Sequence, residues 1–149
     1  MIPTFQTVID KEVGNCFSAC VASILEMKIE DIPDFWEYDE KESSFWHKFH
    51  EFLKPLGLSY VIIKTIPDEK YYSGINTHIW QTFPHLLENQ HVICSVLSQK
   101  YEGTTHAVVG KFDFNFLKVV HDPNPNNERK YNTKDILSFG FFLKDTSSK

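Results

Sequence analysis

The chain lacks several features that would each have pointed to a class of protein. No stretch approaches the ~20 consecutive apolar residues that span a bilayer, so no membrane association is expected. The start, Met1-Ile2-Pro3-Thr4, has no basic region followed by an apolar run and reads as no secretory leader. No stripe of clustered Lys and Arg is present. The net charge of −5 and pI near 5.8 also count against a nucleic-acid partner. Neither Cys-x-x-Cys nor His-Glu-x-x-His spacing occurs. Cys16 and Cys20 stand four apart, and His78, His85 and His91 are scattered, so neither a metal nor a cofactor is expected. Three cysteines, an odd number in a chain without an export signal, point to free thiols in a reducing compartment, the cytoplasm.

What is present suffices for one folded unit. A chain of 149 residues, 42% apolar with thirteen Phe, has ample material for a core. No linker or repeat interrupts it, so residues 1–145 read as a single domain and 146–149 as a disordered tail. Residues 1–15 are mixed and read as extended. From Cys16 to about Lys28, Phe17, Cys20, Val21, Ile24 and Leu25 recur at helical spacing, with Asn15 a favourable capping residue. Asp31-Ile32-Pro33 predicts a short helix ending near Phe35, and Ser43 to Leu56 a second amphipathic helix stopping at Gly57. The run from Asp34 to Glu42 carries five acids against one Lys and reads as a solvated loop, with Trp36 or Tyr38 near any cleft.

The period then changes. Leu58 to Lys64 and Val92 to Leu97 read as buried strands, with a helix over His78 to Leu87 between them. Thr105 to Phe112 and Phe116 to Asp122 form a predicted hairpin. Thr133 to Leu137 is a predicted helical turn, and Phe139 to Leu143 a last strand. Helices first and antiparallel strands after predict an α+β fold of two packed layers.

Three residues in this frame carry chemistry. Cys16 falls in the first turn of its helix, where unpaired N–H groups and the positive dipole end favour a thiolate. The same N–H groups suit an oxyanion formed by attack on a carbonyl. A three-residue hairpin loop, Asp113 to Asn115, would pair Phe112 with Phe116, Val108 with Val120, and His106 with Asp122. A two-residue loop would instead set His106 against His121 or Pro123. Nucleophile, base and orienter are thus expected in Cys16, His106 and Asp122. Gln6 and Asn15 are candidate side-chain donors to the oxyanion. Cys20 and Cys94 read as core thiols, and His121 as a bystander on the opposite face.

The segment Asn15-Cys16-Phe17-Ser18-Ala19-Cys20 resembles the Asp-Cys-x-x-Ala-Cys motif of bacteriocin-processing peptidase domains of peptide exporters. His106-Ala107-Val108-Val109 and Asp122-Pro123 are similar to their His-x-Val-Val and Asp-Pro elements. Those domains belong to the papain-like superfamily, which also holds NlpC-type cell-wall peptidases. The resemblance implies a papain-like fold, with Cys16 as nucleophile, His106 as base, Asp122 as orienter and Gln6 as oxyanion donor. Asn15 replaces the family's acid, Gln6 stands farther from the nucleophile than in the family, and residues 28–90 are not covered. The expected function is a cysteine hydrolase, a peptidase, isopeptidase or amidase acting on a peptide or protein through a Cys16 thioester. Two other readings compete: a transglutaminase-type acyltransferase, and an inactive papain-like fold used for binding or inhibition.

Overall fold

The computed structural model describes residues 1–10, 14–35, 42–64, 86–113 and 116–146. Two helices, α1 (Cys16–Leu25) and α2 (Glu42–Leu53), precede five strands: β1 (Leu58–Lys64), β2 (His91–Leu97), β3 (Thr105–Asp113), β4 (Phe116–His121) and β5 (Ile136–Lys144). The strands form one sheet in the order β1-β5-β2-β3-β4, and every neighbouring pair is antiparallel. This is an α+β architecture with helices packed on an antiparallel sheet.

Alternation along the strands divides the core in two. Ile93 and Val109 belong to a cluster with Val21, Ala22, Phe35, Phe49 and Leu53, on the helical side. Val92, Cys94, Val96 and Val108 join Phe112, Leu117, Phe139 and Phe141 in the other cluster. Period-two side-chain placement produces this division. The helical layer is unusually aromatic. Phe17 has ring partners in Phe35, Phe45, Trp46, Phe49 and Tyr60, with centroids 5.0 to 6.4 Å away and all in edge-on geometry. Edge-to-face pairs contribute about 0.5–1.5 kcal/mol each beyond burial, so the residue after Cys16 is firmly held.

Several element boundaries depart from expectation for identifiable reasons. Helix α1 stops at Leu25 rather than near Lys28, because Glu26 turns left-handed (φ 57°) and the Met27 N–H returns to the Ala22 carbonyl. The short helical turn lies at Ile29–Asp31, ahead of its expected place at 31–35. Ile32 precedes Pro33 and is therefore pushed to extended backbone (φ −90°, ψ 122°), which ends the turn. The second helix is α-helical only to Leu53; Pro55 lies in a 3-10 turn, Lys54–Leu56, closed by left-handed Gly57. Thr133–Asp135 forms a 3-10 turn with a capping box from Asn132 and Asp135. Trp36, Tyr38, most of the predicted helix over His78 to Leu87, and residues 147–149 of the predicted tail lie outside the described residues.

The hairpin register also differs. Asp113 pairs with Phe116, leaving two residues between them rather than three; Lys111 pairs with Lys118, and Gly110 with Val119. A bulge then shifts the pairing, so that Val109 meets His121. His106 and Asp122 are therefore not ladder partners. A bulge adds one residue to one strand, and this one lies at the end where Asp122 leaves the sheet.

Gly140 in β5 illustrates how tightly the helical face is filled. A Cβ there would lie 2.0 Å from the Tyr60 hydroxyl, and Tyr60 is itself packed against Phe17, Trp46, Phe49 and Phe142. Gly140→Ala is expected to cost about 1–3 kcal/mol as overpacking, read as a lower urea midpoint at unchanged slope. An unchanged midpoint would mean that Tyr60 can move aside.

Candidate active site

Cys16 is the first residue of α1, and Asn15 stands at the capping position without making a side-chain cap. The Asn15 amide turns back instead. Its oxygen accepts the N–H groups of Thr7 (3.1 Å) and Val8 (3.0 Å), and its nitrogen donates to the Thr7 hydroxyl (2.9 Å). Asn15 thus fastens the incoming segment to the helix and corrects the expectation of a side-chain cap. The first turn keeps N–H groups that no side-chain cap satisfies, at the positive end of the helix dipole. Gly14 makes this return possible, since a Cβ there would lie 2.5 Å from the Asp10 carbonyl.

His106 stands second in β3. Its Nε2 lies 2.7 Å from Asp122 Oδ1, which leaves Nδ1 as the ring nitrogen available to Cys16, and the imidazole and the thiol bias each other's charge. The side chains of His106 and Asp122 are 15% and 12% exposed. Asp122 reaches the imidazole from the loop after β4, and that loop folds by Asx chemistry. The Asn124 N–H donates to Asp122 Oδ1 (2.8 Å), the Asn126 N–H to Asn124 Oδ1 (3.0 Å), and the Arg129 N–H to Asn127 Oδ1 (2.9 Å). Each is the two-residue return typical of Asp and Asn in turns. The second carboxylate oxygen accepts the Asn127 amide (2.5 Å) and the Tyr131 hydroxyl.

The charges follow from these contacts. Burial opposes a charged His106, but its bonds to Asp122 and Cys16 outweigh it and raise the imidazole to about 9. Burial likewise opposes a thiolate at Cys16. Hydrogen bonds from His106 and the Ala107 N–H, the field of His106, and the Phe17 N–H together bring the thiol below its ordinary value. Asp122 is held below the usual carboxylate range, its burial outweighed by His106, Tyr131 and the Asn124 N–H. The other two thiols behave oppositely: Cys20 and Cys94 are fully buried and burial pushes both up.

Gln6 is buried beside this group. Its Nε2 donates to the Val8 carbonyl (2.9 Å), and its backbone N–H donates to the Pro123 carbonyl (2.9 Å), next to Asp122. Its Oε1 is, among the described residues, the one buried side-chain oxygen or nitrogen without a partner. His121, expected as a bystander, is half-buried and donates from Nε2 to the Thr4 carbonyl (2.8 Å), edge-on to Phe5. It pins the N-terminal segment to β4.

Gln6, Cys16 and His106 open onto one cleft of about 390 Å³, bounded on the other side by the β2–β3 turn and the loop from Asn124 to Tyr131. Asn15 does not line it. The structure therefore brings Cys16, His106, Asp122 and Gln6 together and turns the Asn15 amide elsewhere. Sequence reasoning missed Asn127 and Tyr131. The Asn-rich stretch after Asp122 was a signal for the former, whereas nothing local marked Tyr131. Among the described residues no three His, Cys, Asp or Glu side chains converge as metal ligands, and no helix is long and apolar enough to cross a membrane. No family model, curated protein or solved structure matches the chain.

Proposed function

We propose that the chain is a papain-like cysteine hydrolase that cleaves an amide bond of a peptide or protein through a thioester on Cys16. The observation that carries this reading is the His106 ring held between Cys16 at an uncapped helix start and a multiply anchored Asp122, beside an open cleft. A helix-borne cysteine packed against an antiparallel sheet that presents its histidine also fits the papain-like resemblance of the motifs.

In the proposed reaction the Cys16 thiolate attacks the carbonyl carbon and its electron pair forms the C–S bond. The carbonyl oxygen takes up the negative charge, facing the N–H groups of the first turn of α1 and the second amide hydrogen of Gln6. His106 Nδ1 delivers its proton to the leaving nitrogen as the C–N bond breaks, releasing an amine. Water then gives a proton to His106 and attacks the thioester, returning Cys16 and a carboxylic acid. Asp122 stays ionised throughout and keeps the ring oriented and charged when required.

The test is release of fluorophore from a pooled library of peptidyl coumarin amides, with intact-mass detection of the acylated protein. Wild type is expected to release product and form an adduct on Cys16, and Cys16→Ser to do neither above background. Equal release by both proteins would overturn the proposal. Product carrying an added amine in place of water would assign the same thioester to acyl transfer instead of hydrolysis.

A further inference from the structure

We infer that the substrate carries a carboxylate, bound against the cleft wall made by the β2–β3 turn and the loop after β4. The inference rests on the cysteine-hydrolase reading and names its substrate class.

Charge is distributed unevenly across the cleft. The N-terminal segment contributes Gln6, Ile9, Asp10 and Gly14 to the lining, and Asp10 already has an interaction of its own. From the β2–β3 turn and the loop after β4 the charged lining residues are both cationic, Lys100 and Arg129, in a protein whose net charge is −5. Cations gathered in a concave site of an acidic protein are a local departure that favours an anionic ligand.

Both cations are presented by ordered backbone. The turn bearing Lys100 is closed by Ser98 N–H to the Thr104 carbonyl (2.9 Å), Tyr101 N–H to the Ser98 hydroxyl (3.1 Å) and Thr104 N–H to the Tyr101 carbonyl (3.2 Å). The Lys100 ammonium sits 5.1 Å from the Tyr101 ring centre. Arg129 clamps the two loops together, donating from Nη1 to the Leu97 carbonyl at 2.7 Å. Its guanidinium lies over the Tyr131 ring at 4.7 Å, and its Nη2 forms a long ion pair with Asp135 at 3.9 Å that donates no hydrogen bond. Asp135 meanwhile accepts the Asn132 N–H in its own capping box. A guanidinium has five N–H donors in a planar fork, so donors remain for an acceptor of matching shape. A carboxylate is that acceptor. Arg129 also stacks on the same Tyr131 whose hydroxyl anchors Asp122, which places the anion site close to the reacting groups.

Two reagent pairs test this. Iodoacetate and iodoacetamide differ chiefly in charge, as do two peptidyl vinyl sulfones identical except for Glu or Gln beside the warhead. Rates are measured at Cys16 by mass spectrometry in wild type, Lys100→Gln and Arg129→Gln. The His106 imidazolium favours an anionic reagent by itself, so the variants carry the test. The anionic-to-neutral rate ratio is expected to fall by at least about threefold in each variant and with added salt. A change confined to the vinyl sulfones would assign an acidic side chain, and one confined to iodoacetate a terminal carboxylate. Selective labelling of Cys16 with both ratios unmoved by either substitution would overturn this inference and leave the hydrolase reading intact. Failure of every reagent to select Cys16 over Cys20 and Cys94 would overturn both. Lys100 is exposed at its turn, so its replacement keeps the test valid if Arg129→Gln disturbs the loops.

Discussion

Replacing His106 by alanine is expected to slow alkylation of Cys16 at about pH 6 by one to two orders of magnitude and to move the pH midpoint of labelling upward. The reason is a balance at the sulfur. Burial alone disfavours the thiolate, and the His106 bond and charge, with the Ala107 and Phe17 N–H groups, reverse that cost. Without the imidazole the burial remains and only the two backbone donors and the helix dipole oppose it. His106 stays protonated up to about 9, so wild type holds this partner charged across the neutral range. Cys20 and Cys94 serve as internal references, since burial pushes both up and neither should label in the folded protein. Identical midpoints in wild type and His106→Ala would show that the imidazole does not activate the sulfur.

Asp122→Ala is expected to be the most destabilising change in the site, at about 3–5 kcal/mol near pH 5.5, because removing one partner of a buried pair strands the other. It leaves His106, the Asn124 N–H and the Tyr131 hydroxyl without their acceptor, and the Asn127 amide with only its 2.8 Å bond to the Tyr131 oxygen. Tyr131→Phe removes one of the four bonds to Asp122, together with a second acceptor of the Asn127 amide, and should cost about 1.5–3 kcal/mol, the range for a hydrogen bond to a charged group. The pH dependence has a definite sign. Asp122 has a depressed folded pKa, so its contribution is present above its unfolded value of about 3.9 and is lost as pH falls through the folded one. His106 is raised to about 9, so its contribution is complete below its unfolded value and is lost as pH rises through about 9. The stability gap between wild type and Asp122→Ala should therefore peak between the unfolded values of the two groups, about pH 4 to 6.5, and shrink on both sides. Urea midpoints that differ by the same amount from acid to alkali would exclude the ionised pair as the source.

Among the described residues, local periodicity was enough to read both helices and all five strands, because α1 carries one apolar stripe and the apolar runs of β2 and β3 are buried on both faces of the sheet. It failed where backbone geometry rather than burial decides. Ile32 and Pro33 ended a helical turn that their composition seemed to begin. The register of β3 and β4 failed for a similar reason. Val119 and Val120 are both apolar, so no alternation marks the bulge that intervenes there. The proximity of His106 and Asp122 was anticipated, but by the wrong route: the acid arrives from a chain of Asx turns and not from the ladder. Tyr131 was illegible because the same turns, and not any spacing along a strand, deliver it to Asp122, and for Asn127 the Asn-rich composition was the one signal. Asn15 had the right residue type for a cap, and the tertiary contacts to Thr7 and Val8 claimed its amide first.

The tie between Thr4 and His121 joins residues 117 apart in the chain, and Gln6 is bonded to Pro123 in the same way. Contacts of such separation must meet the entropy of closing a long loop before they return any stability, so they form late in folding. A ribosome adding about 5–20 residues per second makes Cys16 several seconds or more before it makes Asp122. Throughout that interval the sulfur lacks its imidazole and has the reactivity of an ordinary thiol. On the proposed reading of Cys16, the nascent chain carries its thiol in a latent form, and completion of the β3–β4 hairpin and its following loop is the step that arms it.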